Sequence, residues 1–110
     1  MSAAKQARAA KRATVIKAMA HPSRLLCLEA LMAGELCVAD LTSLVGADIS
    51  TVSKHLALLR SVGLVTIEKR GLQVFYQIAC PCLGTFFECM DDLASSARSS
   101  KRRAAARCQC

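Results

Sequence analysis

The stretch of residues 48–62, DISTVSKHLALLRSV, constrains the fold more than any other part of this chain. Read at helical spacing, it has one apolar stripe, which is typical of a helix side that faces a protein core. The stripe consists of Ile49, Val52, Leu56 and Leu59. Asp48 precedes it and can accept hydrogen bonds from the free amides of the first helical turn. The sequence therefore predicts an amphipathic helix that begins just after Asp48.

The opposite side of this helix is small and cationic. Its residues are Ser50, Lys54, Ala57 and Ser61. Such a face fits a DNA major groove, because bulky side chains would clash there, whereas hydroxyls and lysine can donate to phosphates and base edges. An ordinary solvated amphipathic helix has the same pattern, so the neighbouring segments must decide between the two.

The charge of the chain favours an acidic partner. Lys and Arg number 15 against 8 Asp and Glu, which gives a net charge of +7. Nucleic acid is the first candidate for that partner, and an anionic membrane surface is the second. No apolar run approaches the roughly 20 residues that a membrane span needs, and no signal peptide precedes the first helix. We therefore expect a cytoplasmic protein.

Four helices are expected before the first strand. The 110 residues, only 4% of them aromatic, suffice for one domain with a core of aliphatic side chains. The first helix should end near Ala20, and the second is stopped by Gly34. A short third helix, roughly Val38 to Val45, leads through a tight turn into the stretch 48–62. Two short helices joined in this way form a helix-turn-helix unit.

A β-hairpin is predicted after the helix-turn-helix unit. Residues 64–70 and 72–78 are rich in β-branched and aromatic residues, as strands are, and Gly71 joins them. Lys69 and Arg70 place two cations at the tip of this hairpin. A helix-turn-helix followed by a basic-tipped hairpin is the winged-helix arrangement.

The last predicted helix follows Cys80-Pro81-Cys82 and carries apolar residues for its own domain and for a second subunit. They are Leu83, Phe86, Met90, Leu93 and Ala97. The expected fold is mainly α with a small β-hairpin: a dimeric winged helix-turn-helix with the order α-α-α-α-β-β-α. We expect residues 1–98 to form the DNA-binding and dimerisation domain. Residues 99–110 should form a basic, flexible tail whose cations add non-specific phosphate affinity.

Seven cysteines in a chain of this size need an explanation. They are Cys27, Cys37, Cys80, Cys82, Cys89, Cys108 and Cys110. Without a secretory signal a disulfide scaffold is disfavoured, so metal binding or redox chemistry is the better interpretation. Because there are only 2 histidines, a metal site must be mostly thiolate. A thiol oxidoreductase or metal chaperone ranks last, since no Cys-x-x-Cys precedes a helix.

Four sequence blocks follow one another in a specific order and spacing. They are His21-Pro22-Ser23-Arg24-Leu25, residues 35–41 (ELCVADL), residues 51–60 (TVSKHLALLR) and Gly63-Leu64-Val65. With these blocks the chain, from about residue 14 to 94, resembles the arsenic-repressor (ArsR/SmtB-type) family of bacterial winged-helix metalloregulators. The resemblance implies a homodimeric repressor that leaves its operator when an inducer binds.

The resemblance implies different places for the sensor site. In the arsenite-responsive type, the segment matching residues 35–41 carries two cysteines separated by one residue, but here only Cys37 is present and Ala39 fills the second position. The zinc-type site on the last helix needs Asp and His ligands, and residues 83–100 contain no His. Other members gather cysteines near the start of the last helix. The matching residues here are Cys80, Cys82 and Cys89, with Cys37 as an auxiliary candidate.

Geometry limits how these cysteines can share an ion. Two sulfurs on one ion must lie within about 4 Å, given metal–sulfur bonds of about 2.3 Å. Cys82 and Cys89 lie about 10 Å apart along the axis if both are on one straight helix. Either the first turn unwinds or Cys89 comes from the second subunit. Such a site would suit As(III) or Sb(III), or, with a fourth ligand, Zn(II), Cd(II) or Pb(II).

The resulting hypothesis is a repressor released from double-stranded operator DNA by a thiophilic ion. The expected DNA contacts are Ser50, Thr51, Ser53, Lys54 and His55 on the helix, and Lys69 and Arg70 on the wing. His55 flanks the apolar stripe and has a structural role as its alternative. A thiol-redox or polysulfide trigger and a small organic effector stay open. We expect no enzymatic activity, no organic cofactor and no membrane partner, and we expect Cys108 and Cys110 to form a mobile thiol pair.

Overall fold

The computed structural model describes residues 2–96, which form five helices and one small sheet. The helices are α1 (Ala3–Met19), α2 (Pro22–Met32), α3 (Val38–Val45), α4 (Ile49–Ser61) and α5 (Leu83–Ser96). The strands are β1 (Leu36–Cys37), β2 (Val65–Arg70) and β3 (Gln73–Ile78). The described residues divide into two compact units, 2–80 and 81–96. The predicted tail, including Cys108 and Cys110, lies outside the described residues.

All the predicted helices and both hairpin strands are present, but one further strand was not predicted. This strand, β1, is only two residues long and pairs antiparallel with β3, with Leu36 opposite Tyr76 and Cys37 opposite Phe75. The sheet therefore has three strands in the order β1-β3-β2. Two residues are too few to display the alternation by which a strand is recognised in a sequence.

Helix α4 has a defined start and a defined end. At its start, Asp48 Oδ1 accepts a hydrogen bond from the backbone N–H of Thr51 at 2.8 Å. This bond, followed by that from the Ser50 hydroxyl, lowers the pKa of Asp48. At its end, Gly63 adopts a φ of 83°, and the N–H of Leu64 donates to the carbonyl of Leu59 at 3.1 Å. This is a Schellman termination, which requires a residue that tolerates positive φ.

The core lies where α4 packs against α2, α3 and β2. Three of the four predicted stripe residues, Val52, Leu56 and Leu59, are fully buried there. Ile49 was predicted to join them, and this was wrong, since its exposed fraction is 55%. Ile49 is the first residue of α4, and the buried stripe begins one turn later.

The second unit contains α5. Carbonyls of Pro81 and Cys82 accept hydrogen bonds from the N–H groups of Gly84 and Thr85, which leads the chain into the helix. Leu83 is buried, whereas Phe86 and Leu93 are 40% and 59% exposed. None of the helices in residues 2–96 has the length and apolar character needed to cross a membrane.

Candidate functional site

The outer face of α4 carries most of the predicted DNA contacts. Ser50, Ser53 and Lys54 are exposed, and Thr51 is half-buried. The Ser50 hydroxyl donates to Asp48 Oδ1 at 2.7 Å and thus takes part in the helix cap. Within residues 2–96, Ser53 and Lys54 have no side-chain hydrogen bond or ion pair, so their donors remain available to an outside ligand.

The turn between α3 and α4 sets where this face begins. Gly46 adopts the left-handed conformation with a φ of 76°, and its N–H donates to the carbonyl of Thr42 at 2.9 Å. A left-handed residue at this place ends α3 without the steric cost that a Cβ atom would add. Helix α4 then starts at Ile49, only three residues after Gly46. The two helices therefore form the compact helix-turn-helix pair that the sequence predicted.

His55 lies on α4 but faces the start of α2. Its Nδ1 accepts a hydrogen bond from Nε of Arg24 at 3.2 Å, and its ring centroid lies 4.5 Å from that of His21. Partial burial lowers the pKa of His55, and the neighbouring His21 and Arg24 lower it further. The neutral ring is therefore favoured. This geometry supports the structural alternative for His55 over a direct DNA contact.

The wing is the hairpin formed by β2 and β3. Its two-residue turn, Gly71-Leu72, has a positive φ of 63° at the glycine alone, which is the type II′ arrangement. Leu72 is fully exposed at the tip. Lys69 is also exposed and, among the described residues, pairs with no carboxylate. Lys69 is thus a cation available to a ligand at the wing.

Arg70, by contrast, is held between two carboxylates. Its Nη1 lies 2.6 Å from Oε2 of Glu35, and its Nε lies 2.9 Å from Oε2 of Glu68. The guanidinium also stacks on Phe75, 4.9 Å from the ring centroid. Hydrogen bonds from Arg70, and then from Gln77, lower the pKa of Glu68. Arg70 therefore connects the wing to the segment before β1, and its charge is already compensated.

Two cysteines of the first unit have clear surroundings. Cys27 is fully buried in α2, and burial raises the pKa of its thiol. A buried thiol with a raised pKa is inert, so Cys27 is a core residue of the first unit. Cys37 is half-buried at the start of α3, and its Sγ donates to Oδ2 of Asp40 at 3.3 Å.

The predicted sensor cysteines are distributed over both units. Cys80 is the last residue of the first unit. In the second unit, Cys82 is exposed just before α5, and Cys89 is half-buried within it. Within residues 2–96, there is no group of three or more His, Cys, Asp or Glu side chains placed so that it could hold a metal ion. The three-thiolate site therefore stays a prediction.

Sequence reasoning missed the roles of Arg24 and Glu35. Arg24 belongs to the block 21–25, and its guanidinium bonds to backbone carbonyls of α1 as well as to His55. Glu35 reaches Arg70 across 35 residues of sequence. Arg24 lies in the first turn of α2 and Glu35 in the segment between α2 and β1, and a polar residue at either place suggests only solvation from the sequence alone. The block 21–25 contributed to the family resemblance, but its sequence did not indicate which residues the Arg24 side chain contacts.

Comparison with known proteins identifies the family to which the chain is related. The family model described as "Bacterial regulatory protein, arsR family" matches residues 21–66. The chain is 36% identical over 75 residues to the HTH-type transcriptional regulator YgaV of Escherichia coli, and this match covers 66% of this chain and 75% of YgaV. It is 40% identical over 70 residues to the HTH-type transcriptional regulator NmtR of Mycobacterium tuberculosis, and this second match covers 64% of this chain. That match spans 58% of the length of NmtR.

A solved structure matches over most of its length. It is the homodimeric winged helix-turn-helix DNA-binding domain Mb0332 of Mycobacterium bovis, described as a possible ArsR-family transcriptional regulator. The TM-score is 0.77 at 28% identity, and the match covers 93% of this chain and 97% of that domain. The predicted winged helix-turn-helix fold is confirmed.

Proposed function

Because this chain belongs to the ArsR family of bacterial regulatory proteins, we propose that it is a dimeric repressor that binds operator DNA through α4 and the wing. The observation that carries this proposal is the exposed face of α4, where Ser53 and Lys54 have no partner within residues 2–96. The net charge of +7 adds long-range attraction to phosphate. A DNA-binding protein of this kind acts in the cytoplasm, where bacterial DNA lies.

The proposed dimer interface lies on α5. Phe86 and Leu93 expose apolar surface on this helix in the single chain, and Met90 lies between them. A two-fold interface would cover the same residues on both copies. Two copies would place their α4 helices at half-sites about 34–36 Å apart, one turn of the DNA helix.

The proposal is tested by selection of DNA from a random library. The reduced full-length chain is incubated with random duplexes, and the enriched duplex is compared with a scrambled duplex of the same composition. We expect the selected duplex to bind at least about 1,000-fold more tightly at physiological salt, the lower end of the range for specific DNA binding. Equal binding of both duplexes would mean that the chain binds DNA only non-specifically through its positive charge, and would refute the proposal.

Lys69 and Arg70 offer a matched test of the wing. Both substitutions, Lys69→Ala and Arg70→Ala, remove one positive charge from neighbouring positions. Lys69→Ala should lower the slope of log affinity against log salt by about one phosphate equivalent for each protomer. Arg70→Ala should change that slope less, because Glu35 and Glu68 already compensate its charge. Equal slopes for the two variants would show that Arg70 leaves its carboxylates and binds phosphate.

For the inducer, we propose a thiophilic ion bound by Cys80, Cys82 and Cys89, with As(III) or Sb(III) first and Cd(II), Zn(II) or Pb(II) next. The support is chemical: three thiols lie within ten residues, and trigonal As(III) prefers soft sulfur ligands. Because no such group is gathered among the described residues of one chain, the ligand set needs the second copy or a rearrangement before α5.

The same observation favours a redox trigger as the second candidate. A disulfide or polysulfide link needs only two thiols rather than three gathered ligands. Two thiols would lose two electrons and two protons to an oxidant such as an inorganic polysulfide. Cys82 is exposed and therefore accessible to such a reagent.

Serine variants separate these triggers. Cys82→Ser and Cys89→Ser should each bind the selected duplex but lose release by As(III), because each removes one of three ligands. Cys37→Ser should lose release only partly, and the double variant Cys108→Ser, Cys110→Ser is the control that should respond normally. Release is measured by fluorescence anisotropy of the labelled duplex. Release by polysulfide but by none of the metal ions would favour the redox trigger, and loss of response in Cys37→Ser alone would move the sensor to α3.

A further inference from the structure

Arg24 lies at a junction of three helices. It belongs to α2, and its Nη1 donates to the carbonyls of Lys17 at 3.4 Å and Ala18 at 3.1 Å, in the last turn of α1. Its Nε donates to Nδ1 of His55 on α4 at 3.2 Å. One guanidinium therefore joins α1, α2 and α4. This cluster of Arg24, His55 and His21 is called the junction cluster below.

The bond from Arg24 fixes the protonation of His55. Arginine has donors only, so Nδ1 of His55 must carry a lone pair. A neutral imidazole then keeps its proton on Nε2. His21 is oriented in turn, because its own Nδ1 accepts the N–H of Ser23 at 3.1 Å and caps α2.

A proton on Nδ1 of His55 would break the junction cluster. The ring would lose its acceptor and would place an imidazolium against a guanidinium. Among residues 2–96, the titratable and charged side chains that face this ring are His21 and Arg24, both from the start of α2. From α1 only backbone carbonyls reach the cluster, and they bond to Arg24. Partial burial and these two neighbours hold the pKa of His55 below its ordinary value, as expected if the proton and the bond compete.

The hydrogen bond between Arg24 and His55 also supplies a directional contact, which the apolar core lacks. Val52, Leu56 and Leu59 hold α4 against the core, but hydrophobic contacts are non-directional and permit small rotations about the helix axis. A hydrogen bond weakens steeply when its angle changes. His55 directly follows Lys54, so the bond at His55 determines the direction in which the DNA-facing side chains point.

We propose that Arg24 is a positioning residue for DNA recognition: through neutral His55 it holds α4 in the orientation that reads DNA, so that a proton on His55 lowers specificity. The inference rests on the proposed DNA-binding function. In this proposal Arg24 acts on recognition through its bond to His55 rather than by contacting DNA.

The test uses the reduced full-length chain with the selected and scrambled duplexes, from about pH 8 to about pH 5.5. The ratio of the two affinities isolates specificity from the general gain of positive charge in acid. For the wild-type dimer we expect this ratio to fall, once the pH is below the pKa of His55, by up to about tenfold per pH unit for each protomer, the slope for one proton in each copy.

Two variants examine the cluster. His55→Asn keeps an oxygen acceptor near Nδ1 but cannot be protonated, so its ratio, normalised to its own value at about pH 8, should be flat. Arg24→Ala should lower the ratio about tenfold at pH 8, equivalent to about 1.4 kcal/mol, the size of one hydrogen bond. Arg12→Ala, which removes the same charge from an exposed site on α1, is the control and should leave the ratio unchanged. Circular dichroism melts confirm folding at each pH.

Several results would overturn the inference. The first is a wild-type ratio of the two affinities that does not change with pH. The second is a His55→Asn chain whose ratio changes with pH like that of wild type, or which has lost its preference for the selected duplex at pH 8. The third is an Arg24→Ala ratio equal to that of Arg12→Ala. If Arg24→Ala does not fold, the wild-type and His55→Asn profiles decide the matter. A chain that selects no duplex refutes the proposed function and this inference together, whereas a specific but pH-independent chain refutes only the inference.

Discussion

Replacing Leu93 with Asp is expected to convert the dimer into monomers and to lower affinity for the selected duplex more than 100-fold, a loss of about 2.7 kcal/mol or more. Leu93 is 59% exposed in the single chain, so the substitution should spare the fold of the protomer. In a two-fold dimer each interface would instead bury two new carboxylates beside apolar side chains, which is strongly unfavourable. Sedimentation velocity gives the assembly state, and anisotropy gives the affinity.

Ser95→Asp is the matched control for this variant. It adds the same charge to α5, two residues from Leu93 and on the other side of the helix. Ser95→Asp should remain a dimer that binds the selected duplex like wild type. A dimeric Leu93→Asp chain would remove α5 from the interface, and a monomeric chain with full specific affinity would refute the need for two half-sites.

Lys54→Ala is expected to have the next largest effect. Lys54 is exposed on α4 without a partner within residues 2–96, so it can bind a phosphate or a base edge. Losing that contact should weaken binding to the selected duplex by about 1–3 kcal/mol if Lys54 contacts a base, and should reduce specificity at one position. If it contacts a phosphate, the salt slope should fall by about one for each protomer, and binding to both duplexes should weaken alike.

Lys11→Ala provides the control for Lys54→Ala. Lys11 is an exposed residue of α1, and its loss changes the net charge by the same amount. We expect Lys11→Ala to bind the selected duplex within about twofold of wild type, since a distant surface charge is largely screened by salt. Equal losses in the two variants would mean that net charge, rather than α4, governs the affinity.

Local features of the sequence predicted the helices and the hairpin well. Asp48 caps α4 as expected, because an acidic N-cap needs only the amides of the following turn. Gly46 and Gly71 mark their turns because each adopts a positive φ, which other residues rarely tolerate. These features act over a few residues, so neighbouring sequence is enough to recognise them.

Long-range pairing could not be predicted from the sequence in the same way. Strand β1 exists because residues 36–37 meet β3 about 40 residues later, and the two residues carry no strand pattern of their own. Arg70 looked like a free cation at the wing tip, yet Glu35 and Glu68 hold it. The bond between Arg24 and His55 likewise joins residues 31 apart in sequence. Each of these contacts depends on the tertiary fold rather than on local spacing.

The arrangement of the proposed sensor cysteines depends on contacts that spacing along the sequence does not specify. Spacing identifies Cys80, Cys82 and Cys89 as a cluster in sequence, but ligand geometry requires sulfurs within about 4 Å of one another. Whether three thiolates meet depends on a second copy or on a rearrangement before α5, since Cys82 directly precedes α5 and Cys89 lies seven residues later within it. Residue types alone do not determine that arrangement.

The most direct test of operator recognition is a hydroxyl-radical footprint of the full-length chain on the selected duplex. Two α4 helices in successive major grooves should protect two patches centred about 10–10.5 base pairs apart. Leu93→Asp should erase both patches, and Lys54→Ala should weaken them without moving them. A single protected patch, or two patches that persist in Leu93→Asp, would contradict DNA recognition by a dimer through α4.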